Sequence, residues 1–154
     1  MTVEKFISNT YNAALAIQKK YGVNALAAMA QSAQETGWGK TVVGNMYFGI
    51  KAGASWTGKR QLLWTHEVVS GKRVSVQAWF RAYDSAVESF QDYGKFIASN
   101  PRYQTALKYA DNTEQYIKEI AKAGYATDPN YASSVISIVN SIKKKSTFKQ
   151  LALV

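Results

Sequence analysis

The sequence predicts an α+β fold that is mainly α: a helical body carrying a small β-hairpin lobe, with a cleft between them. Three observations lead there. Most of the chain repeats its apolar residues with helical spacing, whereas the stretch Gln61–Arg81 alternates as strands do. A turn signal, Ser70-Gly71-Lys72, divides that stretch in two. A two-stranded hairpin is marginal alone, so it must pack on the helices, and a lobe beside a body leaves a groove.

The first helix starts at Thr2, a capping residue with Glu4 in the first turn, and places Ile7, Tyr11, Ala14 and Leu15 at helical spacing. Tyr21-Gly22 ends it. Asn24 caps the second helix, which opens on the small, apolar run Ala25-Leu-Ala-Ala-Met-Ala-Gln-Ser-Ala-Gln. So many alanines let neighbours approach closely, as a central helix requires. Glu35 falls in its last turn, before Gly37, a residue suited to a left-handed C-cap. Desolvation and the negative end of the helix dipole would both hold a carboxyl there in its protonated form, with Trp38 as an apolar wall. Such an acid suits general acid catalysis; the alternative is an ordinary surface glutamate at a helix end.

From Gly37 to Gly58, six glycines mix with Trp38, Tyr47, Phe48 and Trp56 without helical period, and this reads as a hinged loop region. Aromatic rings on loops can stack on sugar faces, or form a satellite hydrophobic cluster. In the hairpin, period two puts Leu63, Thr65, Glu67 and Val69 on one face and Trp64, His66 and Val68 on the other. Glu67 is then the carboxylate to set opposite Glu35. Ser85-Ala-Val-Glu88 is a capping box whose helix turns Ala86, Phe90, Tyr93 and Ile97 to one face. Asn100-Pro101 stops it, and a short helix follows around Arg102–Tyr109. The next begins at Asn112, buries Tyr116, Ile117, Ile120 and Ala121, and ends at Gly124. Asp128 followed by Pro129 marks the start of the last helix, with Val135, Ile138, Val139 and Ile142 inward. Residues 143–154 read as a loosely held basic tail of one catalytic domain spanning 1–154.

Composition narrows the chemistry. The chain of 154 residues is 47% hydrophobic and has no cysteine, so it is globular without disulfides or thiolate metal sites. With one histidine and scattered acids, no metal and no cofactor is expected. Neither a GxSxG elbow nor a phosphate-cradling glycine motif occurs. No signal peptide is read at the N-terminus, and no stretch has the length of a membrane span. The net charge of +9 favours a polyanionic partner, whether nucleic acid, anionic wall polymer or acidic membrane surface. What remains is carboxylates and tyrosines, the equipment of glycoside hydrolysis: an acid at the leaving oxygen and, usually, a second carboxylate as base or nucleophile. Glu35 and Glu67 lie on different elements, as two walls of a groove would need. Asp84 has an alternative explanation in starting the helix at Ser85, and Asp92 in the surface of that helix.

The run Ala30-Gln-Ser-Ala-Gln-Glu35-Thr-Gly-Trp-Gly39 resembles the catalytic-helix motif of glycoside hydrolase family 73, the bacterial endo-β-N-acetylglucosaminidases. Asn45-Met-Tyr-Phe-Gly-Ile-Lys51, Trp56-Thr-Gly58, Thr65-His-Glu67, Phe80-Arg-Ala-Tyr-Asp-Ser85 and Gly124-Tyr-Ala-Thr-Asp-Pro-Asn-Tyr131 follow in the family's order, covering Phe6 to Ile142. The resemblance implies a lysozyme-like fold and peptidoglycan as substrate, cut at the N-acetylglucosaminyl-β-1,4-N-acetylmuramic acid bond. It implies Glu35 as general acid, Glu67 as the second carboxylate and Tyr131 as an active-site tyrosine. Trp38, Asn45, Phe48, Trp56, Trp79 and Tyr125 are the candidates for binding the glycan, with a core role the alternative for Phe48 and Trp79. The rival readings are a lytic transglycosylase using Glu35 alone and a non-catalytic wall-binding module. The expected setting is the cell wall, periplasmic or extracellular, reached through a holin, a secretion machine or as an excised domain. A monomer is expected, held by its positive charge to anionic wall polymers, with no nucleic-acid partner.

Overall fold

Ten segments of regular structure follow one another in the computed structural model, which describes residues 1–152. Helix α1 spans Val3–Tyr21 and α2 Ala25–Thr36; strands β1 (Arg60–Val69) and β2 (Lys72–Arg81) form the hairpin. Helix α3 (Ala86–Ser99) leads through a 3-10 turn, Pro101–Tyr103, to α4 (Gln104–Leu107), then α5 (Thr113–Lys122), α6 (Tyr131–Lys144) and α7 (Ser146–Ala152). Capping follows the sequence closely. Thr2, Asn24, Ser85 and Asn112 each accept a backbone N–H from the first turn of the helix they precede.

Helix α2 occupies the middle, packed against α1, α5 and α6. Its alanines are buried on every side: Ala27, Ala28 and Ala30 have no exposed surface, and Ala33 has 1%. Around it, α3 contributes Phe90, Tyr93 and Ile97, α5 contributes Tyr116, Ile117 and Ile120, and α6 contributes Val135, Val139 and Ile142. The hairpin is antiparallel, in the register Leu62↔Trp79, Trp64↔Gln77 and Glu67↔Val74. Its turn is the two residues Ser70 and Gly71, both with positive φ (52° and 77°), a pairing that matches the twist of the flanking strands. Lys72, expected in the turn, already pairs with Val69.

The lobe is fastened at its base. Ala52 N–H donates to the Trp79 carbonyl and Arg81 N–H to that of Ile50. The Arg81 guanidinium bonds both oxygens of Asp92 on α3 (3.1 and 3.2 Å), and the Tyr83 hydroxyl donates to the same carboxylate at 2.6 Å. Asp92 therefore ties the β lobe to the helical body and is not a surface charge of α3. Two further expectations change. Helix α6 starts at Tyr131 rather than at Pro129, because the Asp128 carboxylate accepts the Asn130 amide (2.8 Å) and folds 128–130 into a turn of its own. Most of the expected loose tail is ordered: Lys143 and Lys144 end α6, and α7 packs on α1 through Phe148 against Tyr11 (ring centroids 6.0 Å apart). Residues 153–154 of that tail lie outside the described residues.

Candidate active site

A cleft of about 440 Å³ opens between the lobe and the body. Glu35 from the last turn of α2 lines it, with Gly49 from the loop, Thr65 and Glu67 from β1, Phe80 from β2, Tyr125 to Asp128 from the α5–α6 connection, and Tyr131 from α6. Period two is what brings Thr65 and Glu67 to this wall and turns Trp64 and Trp79 away from it.

Glu35 is held at this place by the end of α2. Gly37 takes the left-handed conformation (φ 55°) and returns its N–H to the Ala33 carbonyl, so the helix stops one residue beyond Glu35. The side chain keeps an open face toward the cleft, but protein crowds the carboxyl and removes much of its water. Desolvation raises its pKa from 4.5 to about 7. Among the described residues no ion pair or hydrogen bond offsets that rise. The apolar wall is not Trp38, which packs edge-on against Phe6 (5.8 Å, 83°) on another side of the body. The wall is Gly49 and the tyrosine pair. A Cβ on Gly49 would stand 2.7 Å from Glu35 Oε1, so any side chain there would shift the carboxyl from this position.

Opposite, Glu67 is ion-paired with Lys51 (2.7 Å), and Thr127 Oγ1 approaches its other oxygen at 3.4 Å. Thr127 also accepts the Val68 N–H at 3.0 Å, so the α5–α6 connection bridges to β1 over the cleft. Tyr125 and Tyr131 stack at a tilt, 5.8 Å apart, and burial pushes both phenols above their ordinary pKa. His66 also reaches the cleft and shares a 3.2 Å contact with Ser75.

Of the nine residues singled out from sequence, the cleft gathers Glu35, Glu67, Tyr125 and Tyr131. The other five stand elsewhere. Phe48 is fully buried, stacked on Tyr93 at 4.1 Å, so it is core and not a groove surface. Trp56 lies under the Arg81 guanidinium (4.4 Å) and donates its indole N–H to the Lys59 carbonyl. Asn45 occupies a left-handed turn position and donates to the Tyr83 carbonyl. Trp79 is exposed on the outer face of the hairpin, beside Leu62. Aromatic residues in a glycine-rich loop gave no means of separating ring-to-ring packing from ring-to-sugar packing. Sequence reasoning missed Gln31, Gly49 and Thr127. Gln31 had a signal: it lies one helical turn before Glu35, on the same face.

Comparison with known proteins decides the family. A profile of the glucosaminidase family, described as mannosyl-glycoprotein endo-beta-N-acetylglucosaminidase, matches residues 11–144. The chain belongs to this glucosaminidase family. It is 39% identical over 149 residues to the peptidoglycan hydrolase FlgJ of Pseudomonas aeruginosa, a match covering 92% of this chain and 37% of that protein. The chain thus spans less than half the length of the curated relatives it matches. Among solved structures, a mutant of the peptidoglycan hydrolase from Sphingomonas sp. A1 superposes with TM-score 0.82 at 33% identity, covering 97% of this chain and 98% of that one. The C-terminally truncated glycoside hydrolase domain of Salmonella typhimurium FlgJ superposes with TM-score 0.77 at 34% identity, covering 94% and 100%. The glucosaminidase fold, mainly helical and lysozyme-like with a two-stranded lobe, is the one the sequence predicted.

Proposed function

We propose that this glucosaminidase chain hydrolyses the glycan of peptidoglycan at the N-acetylglucosaminyl-β-1,4-N-acetylmuramic acid bond, with Glu35 as the general acid. The observation that carries this reading is the unpaired Glu35 carboxyl, with its pKa of about 7, in a cleft shared with a second carboxylate. Cleavage needs a proton on the leaving oxygen as the C1–O bond breaks, and a carboxyl still protonated near neutrality supplies it. Positive charge then develops at C1. Glu67, on the opposite wall, is the group to take a proton from the incoming water, which adds its oxygen to C1; Glu35, ionised by the first transfer, faces the departed alcohol. In a substrate-assisted course the sugar's own acetamido oxygen would close on C1 instead, with Tyr131, which lines the cleft, as the hydroxyl to hold that group. The identity of the relatives supports a cell-wall setting, and the net charge of +9 supports retention on anionic wall polymers.

Glu35→Gln is the test, read by mass spectrometry of digested peptidoglycan. The parent protein is expected to release reducing-end N-acetylglucosamine, and the variant to lose activity by a factor of roughly 10² or more. A variant that still clears walls would remove Glu35 from the role of acid. Products ending in 1,6-anhydro-muramic acid would mean that no water is added, the transglycosylase outcome.

A further inference from the structure

Beneath the cleft a line of polar groups crosses the otherwise apolar core. Gln31 of α2, only 2% exposed, donates from Nε2 to the Tyr131 hydroxyl oxygen at 2.9 Å. Its Oε1 accepts from the Tyr93 hydroxyl of α3, and the Tyr93 and Tyr116 hydroxyls are 2.9 Å apart. Tyr93 and Tyr116 have no exposed surface. Four helices thus each contribute one member, and the line runs from the sealed core at Tyr116 to the cleft at Tyr131.

Counting protons sets its direction. Each hydroxyl has one proton, and the amide offers N–H at one end and an oxygen at the other. If Tyr131 donated to Gln31, the amide would be reversed and would donate to Tyr93. Tyr93 would donate to Tyr116, and the Tyr116 proton would be left in the core without an acceptor among the described residues. A buried donor stranded in this way has lost its hydration with no hydrogen bond in return. In the opposite direction every hydroxyl proton in the core is used: Tyr116 donates to Tyr93, Tyr93 to Gln31, and Gln31 to Tyr131; the second amide proton of Gln31 is left over in either direction and does not discriminate. The hydroxyl proton left over belongs to Tyr131, the one member with access to the cleft.

We infer that Gln31 is a positioning residue: it occupies a lone pair of Tyr131 and so fixes that tyrosine as a hydrogen-bond donor into the cleft, aimed at an acceptor oxygen of the bound sugar. The effect on turnover rests on the glycosidase reading above; the direction of the line does not. A donor held this way suits a carbonyl such as that of an acetamido group: it fixes the carbonyl's orientation, and the oxygen gains negative charge as the amide proton is drawn off.

The direction is tested on the unaltered protein by NMR with 15N-labelled glutamine side chains. The Gln31 side-chain NH2 protons are expected to show nuclear Overhauser contacts to the Tyr131 ring; contacts to the Tyr93 ring in their place would overturn the inference. The positioning role is tested by a cycle of Gln31→Leu and Tyr131→Phe on peptidoglycan. Gln31→Leu should lower kcat roughly tenfold with little change in KM, the scale of one hydrogen bond. In the Tyr131→Phe background it should cost almost nothing more. An equal loss in both backgrounds would show that Gln31 acts by another route and overturn its role. Should Gln31→Leu fail to fold, the contacts in the unaltered protein still decide the direction on which that role depends. An unaltered protein that releases no glycan product would sink the glycosidase reading, and with it the effect on turnover, while the NMR result would still decide the direction.

Discussion

Glu35 titrates against the fold, and the sign of its effect on stability follows from that. Its carboxyl has a higher pKa folded (about 7) than its ordinary value of 4.5. Below 4.5 both states hold the proton and the group contributes nothing; between 4.5 and 7 only the folded state holds it, so stability declines as pH rises and levels off above 7. Replacing the carboxyl by an amide removes this titration. Glu35→Gln should therefore melt like the parent at pH 4 and be more stable at pH 8, by ~1 kcal/mol, a value reduced because the side chain keeps an open face to solvent. Equal melting temperatures at both pH values would show that the carboxyl is not desolvated. Gly49 tests the same carboxyl from outside. Its backbone is not left-handed, so Gly49→Ala introduces no backbone strain, but the new Cβ meets Glu35 Oε1 at 2.7 Å. Activity should drop by a factor of roughly 10 to 100 from the displaced acid, with the melting temperature little changed. Glu35 was legible in the sequence because what places it is local: an alanine-rich helix, its last turn, a glycine cap. Its surroundings were not. Gly49 and the tyrosines arrive from distant parts of the chain, so the nearest indole in sequence, Trp38, was given a role that the packing assigns elsewhere.

The same division holds for elements. Caps, the alternation along the first strand and the buried faces of α3, α5 and α6 were legible because each is set by residues a few positions apart. The start of α6 was not, because Asp128 spends its carboxylate on the turn before the helix. Nor could sequence separate Asp92 as an anchor from Asp92 as a surface charge, since its partner Arg81 comes from the other lobe. The hairpin's attachments are unequal along its length. Its base is tied by backbone bonds and the Arg81–Asp92 pair, whereas near its tip the Thr127 hydroxyl holds the Val68 amide. Thr127→Val keeps the shape and removes the acceptor. Hydrogen exchange at the Val68 amide should accelerate roughly five- to tenfold while amides at the Trp79 end of the hairpin stay unchanged, the scale of one partly exposed hydrogen bond. An unaltered rate would mean that the α5–α6 connection does not hold the lobe over the cleft.

Over the whole molecule, charge and chemistry are separable. Nineteen basic side chains face ten acidic ones, and among the described residues four ion pairs form: Lys51–Glu67, Lys59–Asp84, Arg81–Asp92 and Lys145–Glu4. Most of the positive charge is thus uncompensated nearby and acts as a field on any polyanion. Retention on a wall rich in anionic polymer would draw on that field, whereas the proposed bond cleavage would draw on the crowding around Glu35. Solvent ions screen the first and leave the second almost untouched: the screening length falls from roughly 14 Å at about 0.05 M salt to about 4 Å at 0.5 M. Binding of Glu35→Gln to isolated walls, measured by sedimentation, should accordingly weaken at least tenfold over that range and weaken less on walls stripped of anionic polymer. Cleavage of a short, soluble glycan by the parent protein should change little under the same salt steps. If soluble-glycan turnover fell in step with wall binding, the positive field would be acting inside the cleft, and the division of labour between surface charge and the crowded carboxyl would be wrong.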